Sequence, residues 1–219
     1  GDAHEFCQKL AELAKLKQVE FKYDVNVEEF LTANNKITGI KTSKGDYSAD
    51  AYVLAAGSYS PLLAKSLKLK LPIRPIKGYS ITLEMDDWEL KPQMPVIDEE
   101  AHVAITPLGN RLRAAGTAEL NGYNSEINAH RIQMVLQQVI ARYPEAGVNI
   151  EGANINAWAG LRPTTADGVP IMGETPIKNL YLNTGHGHLG WSLAMASGKI
   201  VADIINGSNP AISIAPYSL

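Results

Sequence analysis

The chain has 219 residues, 45% of them hydrophobic and 20% charged, with a formal net charge of -3. This composition predicts a folded chain with one large core or two small ones, and its interspersed charges give no footprint for nucleic acid. No apolar stretch approaches the roughly 20 residues of a membrane-spanning helix. The single Cys7 excludes an internal disulfide and a cysteine zinc cluster.

The first seventy residues predict a helix followed by short strands. The chain opens on Gly1-Asp2 without an initiator methionine, so we expect it to begin inside a longer protein, a processed N-terminus being the alternative. Apolar spacing predicts a helix over about 3–17, which Gly1 or Asp2 can cap. Turn-forming residues then separate predicted strands at 19–23, 25–30 and 37–42, with another beginning at 47.

An apolar run from Ala51 to Ala55 is typical of a strand buried on both faces. Gly57 allows a tight exit from this strand. Ser58 or Ser60, followed by Pro61, then predicts a capped helix over about 60–67.

From Leu71 onward, frequent prolines punctuate β-rich stretches, which predict an antiparallel sheet. One helix is expected in this region, over about 125–142, with Ile127 on its apolar side. We therefore predict a mixed α+β and α/β fold. One discontinuous domain would comprise 1–70 and 161–219, and a sheet domain 71–160 would lie between its segments, with ligand sites at the junction.

A glycine-rich loop, Gly185-His-Gly187-His-Leu-Gly190, lies between an apolar strand and a small-residue helix. It looks like a dinucleotide fingerprint, but too little sequence follows for the second strand and its acidic residue. Glycine backbone and free helix N–H groups could still hold an electron-rich group. His186 and His188 could suggest a metal or a proton shuttle, but a convincing third ligand is missing from the sequence, so we predict no metal site and expect the histidines to pack or hydrogen-bond around the loop.

Arg162 lies between Gly160 and Pro163 in a segment that leads into a predicted turn. A rigidly held guanidinium suits a bidentate carboxylate, and a structural ion pair with Asp167 is the equally open alternative. Tyr79 follows a glycine, so its hydroxyl could reach a substrate, although a core or surface role is the commoner one for tyrosine. Hydrolase and kinase motifs do not occur.

Four ordered motifs together resemble the D-amino acid oxidase-like FAD-dependent oxidoreductases, and most closely their bacterial D-amino acid dehydrogenase branch. The likeness covers nearly the whole chain, and its motifs are Ala51–Ser60, Pro75–Tyr79, Gly160–Gly168 and Gly185–Trp191.

The resemblance implies FAD, a D-amino acid substrate, hydride transfer to the flavin, hydrolysis of the imine to a 2-oxo acid, and a respiratory electron acceptor. It also implies a cytoplasmic protein, or one held peripherally at the inner face of the bacterial inner membrane. Arg162 would bind the substrate carboxylate. The residues expected near the cofactor are Val27 by the adenine, Ala56 and Gly57 by the phosphates, and Gly187, His188, Leu189 and Gly190 by the flavin pyrimidine edge.

The sequence departs from this family in two places. Ala104 stands where some amine oxidases of the superfamily have a carboxylate-binding tyrosine, which leaves Tyr79 as the candidate hydroxyl. The pyrophosphate fingerprint expected near the family's N-terminus is missing, so we expect an incomplete FAD-binding domain that depends on an N-terminal segment or chain. The alternatives are a non-catalytic fragment without bound FAD, or an amine oxidase of the glycine or sarcosine type.

Overall fold

The computed structural model describes residues 1–144, 146 and 155–219. The described helices are α1 Ala3–Leu16, α2 Ser60–Ala64, α3 Ala129–Arg142 and α4 Gly190–Ile205. The strands are β1 Val27–Ala33, β2 Lys36–Thr42, β3 Gly45–Tyr47, β4 Tyr52–Leu54, β5 Ile73–Glu84, β6 Val96–Asp98, β7 Val103–Leu108, β8 Arg111–Glu119, β9 Asn156–Thr165, β10 Ile171–Glu174 and β11 Leu180–Thr184. The predicted mixed fold is confirmed.

The chain divides into two compact units. The inserted unit comprises Gly1–Asp2 and Pro75–Leu161, and the flanking unit comprises Ala3–Arg74 and Arg162–Leu219. Each unit therefore has its own core.

A five-stranded sheet in the order β6-β7-β8-β5-β9 forms the inserted unit's framework. The pairs β6-β7, β7-β8 and β8-β5 are antiparallel. Alternate residues of these strands pack against α3 because side chains two apart on a strand share a face. This core contains Ile81, Leu83, Met85, Val103, Ile105, Leu112, Ala114, Val135, Leu136 and Val139.

Helix α3 begins later than the predicted residue 125. Asn128 is its N-cap, and its side-chain carbonyl accepts the backbone N–H of His130 at 3.0 Å. Ile127 consequently lies outside the helix and is exposed, so its predicted place on the apolar side is wrong. Asparagine satisfies one of the N–H groups left unpaired at a helix start, which explains why the helix begins after it.

The flanking unit holds two three-stranded sheets. Strands β1, β2 and β3 form an antiparallel meander. In the second sheet β11 is central, antiparallel to β10 and parallel to β4. Their shared core includes Phe30, Ile37, Tyr52, Leu54, Ala64, Ile73, Ile171, Leu180 and Leu182, and α4 packs on β10 and β11.

Two strand predictions are wrong. Residues 19–23 form no strand in the described structure; Phe21 and Tyr23 instead stack at 5.9 Å between ring centroids, with the Lys15 ammonium 5.9 and 6.0 Å from the two rings. Strand β4 is not buried on both faces, because Val53 is 45% exposed between buried Tyr52 and Leu54. An edge strand of a small sheet buries alternate residues, whereas the continuous apolar run suggested a central one.

The helix predicted over 60–67 is shorter than expected and has a different cap. Gly57–Tyr59 form one turn of 3-10 helix, and α2 ends at Ala64. Tyr59, rather than Ser58 or Ser60, occupies its N-cap position. The Ser60 side chain instead forms a hydrogen bond with Thr184.

Candidate functional site

Two glycine-containing loops leave neighbouring parallel strands of the flanking unit. Strand β4 ends at Leu54 and leads to Gly57, while β11 ends at Thr184 and leads to Gly185. Leu54 pairs with Leu182 in the parallel ladder, so both loops emerge at the same edge of the sheet. Ligands of open α/β sheets bind outside this carboxyl edge. The strand pairing thus places the two loops where a ligand is expected.

Thr184 joins the two loops by hydrogen bonds. Its hydroxyl donates to the carbonyl oxygen of Gly57 at 3.2 Å and lies 3.0 Å from the Ser60 hydroxyl. Because a hydroxyl carries one hydrogen, Ser60 must be the donor in the second bond. Both side chains are buried. These contacts fix the start of the first loop against the start of the second.

The glycines of the second loop have different requirements. Gly185 and Gly187 both have positive φ, +79° and +54°. A Cβ on Gly185 would lie 2.9 Å from Cγ2 of Thr165, so packing already demands glycine there. A Cβ on Gly187 would meet no atom of the described residues within 4 Å. Gly187 therefore presents bare backbone to open space, which suits the close approach of a flat ligand.

Helix α4 begins at Gly190, directly after this loop, with Leu189 as its N-cap residue. The Leu189 N–H bonds to the His186 carbonyl at 3.1 Å, which closes the loop into a turn. The first N–H groups of any helix lack carbonyl partners within it, and the helix dipole favours negative charge at that end. The helix start therefore presents an electropositive backbone end directly beside the loop.

Strand β9 holds the second loop from the other side. Thr164 and His186 form an antiparallel bridge, and the Gly187 N–H donates to the Pro163 carbonyl at 2.9 Å. This bond flanks the Thr164–His186 pair, so the pair is of the type whose side chains lie closest together. Arg162 lies two residues before Thr164 in the strand and shares its face. Arg162, Thr164 and His186 therefore face the same side.

Burial alters the charges on this face. It lowers the pKa of the Arg162 guanidinium, which still stays protonated at physiological pH. It also lowers the pKa of His186, which favours a neutral imidazole. The Nε2 atom of His186 is buried and has no hydrogen-bond partner within residues 1–144, 146 and 155–219. This face therefore carries both a cation and a neutral ring with an unused polar atom.

The alternative partner of Arg162, Asp167, is engaged in its own turn. One of its carboxylate oxygens accepts the Val169 N–H at 3.1 Å. Arg162 has interactions of its own within the protein, and a ligand role would have to be compatible with them.

The other residues predicted near a cofactor also belong to the flanking unit. Ala56 precedes Gly57, and its carbonyl accepts the Tyr59 N–H at 3.0 Å. Val27 begins β1 and is half-buried, whereas the side chain of His188 is exposed. The open backbone at Gly187, the helix start and the buried Nε2 of His186 are features that an anionic, flat cofactor such as FAD would fit.

Tyr79 lies in the inserted unit and is 1% exposed. Its hydroxyl donates to the carboxylate of Glu119, which also contacts the Lys77 ammonium at 3.1 Å. Lys77 is itself buried and donates to the Glu126 carbonyl at 3.0 Å. A substrate contact by the Tyr79 hydroxyl would therefore have to compete with Glu119.

The charges of this cluster reinforce one another. Hydrogen bonds from Tyr79 and Lys77 lower the pKa of Glu119. Burial opposes the charge on Lys77, but polar contacts with Tyr79 and Glu119 outweigh it and raise the Lys77 pKa. Sequence reasoning missed Lys77 and Glu119, because only the strand register places them opposite each other.

Sequence reasoning also missed the part that Ser60 and Thr184 play in the site, and it considered His186 as a metal ligand, a proton shuttle or a residue that packs or hydrogen-bonds around the loop. The described part of the chain contains no group of three or more His, Cys, Asp and Glu residues arranged to hold a metal. None of its helices has the length and apolar character needed to span a bilayer.

Comparison with known proteins identifies the family. Residues 1–204 match the DAO family, described as FAD dependent oxidoreductase. The chain belongs to this family. Its similarity to individual proteins agrees with that assignment.

Two curated relatives are named D-amino acid dehydrogenase. The one from Paramagnetospirillum magneticum is 46% identical over 98% of this chain and 50% of its own length. The one from Granulibacter bethesdensis is 44% identical over all of this chain and 52% of its own length. The chain thus spans about half the length of the curated relatives it matches.

Among solved structures, glycine oxidase from Geobacillus kaustophilus has a TM-score of 0.79 and 27% identity, covering 91% of this chain and 52% of that one. L-proline dehydrogenase from P. horikoshii has a TM-score of 0.81 at 23% identity, covering all of this chain and 59% of that one. The second likeness shows a shared fold.

Proposed function

We propose that this chain is part of a flavin-dependent D-amino acid dehydrogenase. The proposed reaction oxidises a D-amino acid at its α-carbon and yields a 2-oxo acid and ammonia after hydrolysis of the imine, with a respiratory acceptor taking the electrons. The observation that carries this proposal is 46% identity, across 98% of the chain, to a relative that bears this name.

The flanking unit provides the surface proposed to hold FAD. Bound FAD would supply the acceptor for the hydride of the substrate α-carbon. The second loop fits this task because Gly187 exposes its backbone and α4 begins at Gly190. We assign the flavin contacts to Gly187, His188, Leu189 and Gly190, the phosphate contacts to Ala56 and Gly57, and the adenine contact to Val27.

Arg162 is the residue we assign to the substrate carboxylate. Its strand β9 is tied to the glycine loop by the Gly187 N–H bond to Pro163, which limits the motion of the backbone beside Arg162. A guanidinium held in this way loses little further entropy when it binds two carboxylate oxygens. We assign Tyr79 to the same reaction as a second substrate-orienting group, which requires exchange of its bond to Glu119.

We assign the cofactor to the discontinuous domain of about 1–70 and 161–219 and the substrate sheet to about 71–160. The open backbone at Gly187 and the start of α4, both in the flanking unit, support the assignment of the cofactor to this domain. The remaining length found in the relatives is a further partner in this proposal, as an N-terminal segment or a separate chain. Peripheral attachment at the inner face of the bacterial inner membrane is the location that a respiratory acceptor would require.

Glycine oxidation is the second candidate, because a solved glycine oxidase shares 27% identity and a TM-score of 0.79 with this chain. A non-catalytic fragment that does not retain FAD is the third. These candidates differ in measurable ways.

Purified protein should be titrated with FAD and scanned for the flavin bands near roughly 370 and 450 nm. Protein that takes up FAD should then be assayed with D-alanine or glycine as substrate, using both an artificial electron acceptor and oxygen. Reduction of the artificial acceptor by D-alanine supports the dehydrogenase. Faster turnover of glycine with oxygen favours the oxidase, and protein that takes up no FAD supports the non-catalytic fragment.

A further inference from the structure

We infer that His186, through its buried Nε2 atom, is a positioning residue that hydrogen-bonds the cofactor held by the glycine loop. This inference rests on the proposed function and adds a side chain to a surface otherwise made of backbone. Its evidence is the place of the ring in the loop and the state of its polar atoms.

The backbone of His186 is fixed on both sides. Thr164 of β9 pairs with His186 across an antiparallel bridge, and the His186 carbonyl accepts the Leu189 N–H at 3.1 Å. A Cβ on Gly190 would lie 3.4 Å from the His186 Cβ, so the first residue of α4 lies against this side chain. The ring is therefore held between a strand and a helix start.

An unpaired buried polar atom is costly. The Nε2 atom is buried without a partner within the described residues, and leaving such an atom unsatisfied reduces stability. The lowered pKa of His186 agrees with a desolvated, neutral ring. Replacing His186 by an apolar side chain should therefore not lower the stability of the FAD-free protein. The replacement should be harmful only where a ligand uses the Nε2 atom.

This position differs from that of His188 in the same loop. His188 is exposed, so its contribution to the proposed site comes from its backbone. His186 is half-buried with its Nε2 atom fully buried, and it is next to Gly187, whose bare backbone faces open space. The geometry therefore points to His186, rather than His188, as the histidine whose side chain contacts a bound flavin.

The test uses three variants of this chain, His186→Leu, His186→Gln and His130→Leu. The His130 side chain is exposed on α3 in the inserted unit, so it serves as a control for removing an imidazole. Two properties are measured at pH 7.5. The first is the thermal midpoint of the FAD-free protein, and the second is FAD binding, given by the dissociation constant and by the position of the bound flavin bands.

We expect His186→Leu to raise the midpoint of the FAD-free protein by about 2–4 °C, the change that relief of one unsatisfied polar group gives in a chain of this size. The same variant should bind FAD about tenfold more weakly and shift the flavin bands. His186→Gln, whose amide can replace Nε2, should recover most of the affinity, and His130→Leu should change neither property.

A lower midpoint for His186→Leu would overturn the inference, because Nε2 would then have a structural partner. Unchanged affinity and spectra in His186→Leu, with wild-type protein binding FAD, would overturn it while the proposed function stands. Wild-type protein that takes up no FAD, even when the N-terminal segment is supplied with it, would overturn both together.

Discussion

The hydroxyl of Thr184 lies 3.0 Å from the hydroxyl of Ser60, and both side chains are buried. One residue ends β11 and the other begins α2, so this contact holds the two glycine loops at one edge of the sheet. The contact is a single hydrogen bond, but its loss leaves a buried hydroxyl without a partner.

Thr184→Val should therefore destabilise the flanking unit by about 1–3 kcal/mol, because the buried Ser60 hydroxyl loses its partner and the Gly57 carbonyl keeps only the Ser60 backbone N–H. Ser60→Ala added to Thr184→Val should cost less than the sum of the two single changes, since it removes one of the unpaired groups. Urea unfolding of both single variants and the double variant measures this coupling. Simple additivity would show that the two hydroxyls do not interact.

Gly187→Ala should destabilise the protein by about 1–2 kcal/mol, because an L-residue is strained at a φ of +54°. Gly187→Asn should cost less, since asparagine tolerates this conformation. Both changes should weaken FAD binding because the new side chain enters the space in front of the backbone. Gly109→Ala is the control: Gly109 has φ +62° and the same open surroundings, so it should cost similar stability and leave FAD affinity unchanged.

His186 makes the stability depend on pH. Its pKa is lowered by burial, so the unfolded chain takes up a proton more readily than the folded one. The stability that depends on a neutral His186 is therefore fully present above the unfolded-state pKa of about 6.5, and it is lost as the pH falls below that value. Urea midpoints between about pH 7.5 and 5 should therefore fall less in His186→Gln than in wild type. His130→Gln should follow wild type, and a parallel decline in all three proteins would contradict the assignment.

Arg162→Lys keeps a positive charge but loses the planar fork. If Arg162 binds the substrate carboxylate, KM for a D-amino acid should rise about tenfold or more, because hydrogen bonds to charged groups are worth about 1.5–3 kcal/mol. FAD affinity should stay unchanged. Steady-state kinetics and an FAD titration on the same protein separate the two effects. Equal losses of substrate and flavin binding would instead identify Arg162 as structural.

The Lys77–Glu119 pair should behave as a buried pair in the stability of the inserted unit. Lys77→Met should lower the thermal midpoint because the Glu119 carboxylate loses a cation. Lys77→Met combined with Glu119→Gln should recover part of the loss, since the uncompensated charge is then removed. The pKa of Glu119 is lowered, so its contribution is present at neutral pH and lost as the pH falls into the acid range. Acid unfolding curves of wild type and Glu119→Gln should converge there.

Local sequence signals predicted much of the architecture. Apolar spacing indicated α1 over 3–17, where the structure has Ala3–Leu16, and the small residues after Gly190 indicated α4. The glycine loop was also visible in the sequence. These features depend on residues close together in the chain, which is why a single sequence reveals them.

The side-chain contacts of the site were not predictable in the same way. The Thr164–His186 bridge and the Thr184–Ser60 contact join segments that lie far apart in the chain. The contact between Lys77 and Glu119 also depends on a register irregularity between Lys77 and Tyr79. The turn-forming residues of the sequence do not indicate this irregularity. Val53 shows the same limit, because the apolar run around it does not reveal that β4 lies at a sheet edge. The roles assigned to Arg162, Tyr79 and the cofactor-binding residues stay predictions.

The parallel pairing of β4 with β11 also sets an order for folding during synthesis. Leu54 leaves the ribosome long before Leu182, and Pro75–Leu161 of the inserted unit are made between them. Until then β4 lacks its neighbour, and Tyr52 and Leu54 lack the later half of their core. Exposed apolar residues and unpaired strand edges favour aggregation in such intermediates. The inserted unit can therefore fold while the flanking unit still waits for its last strands, and the nascent chain is most vulnerable during that interval.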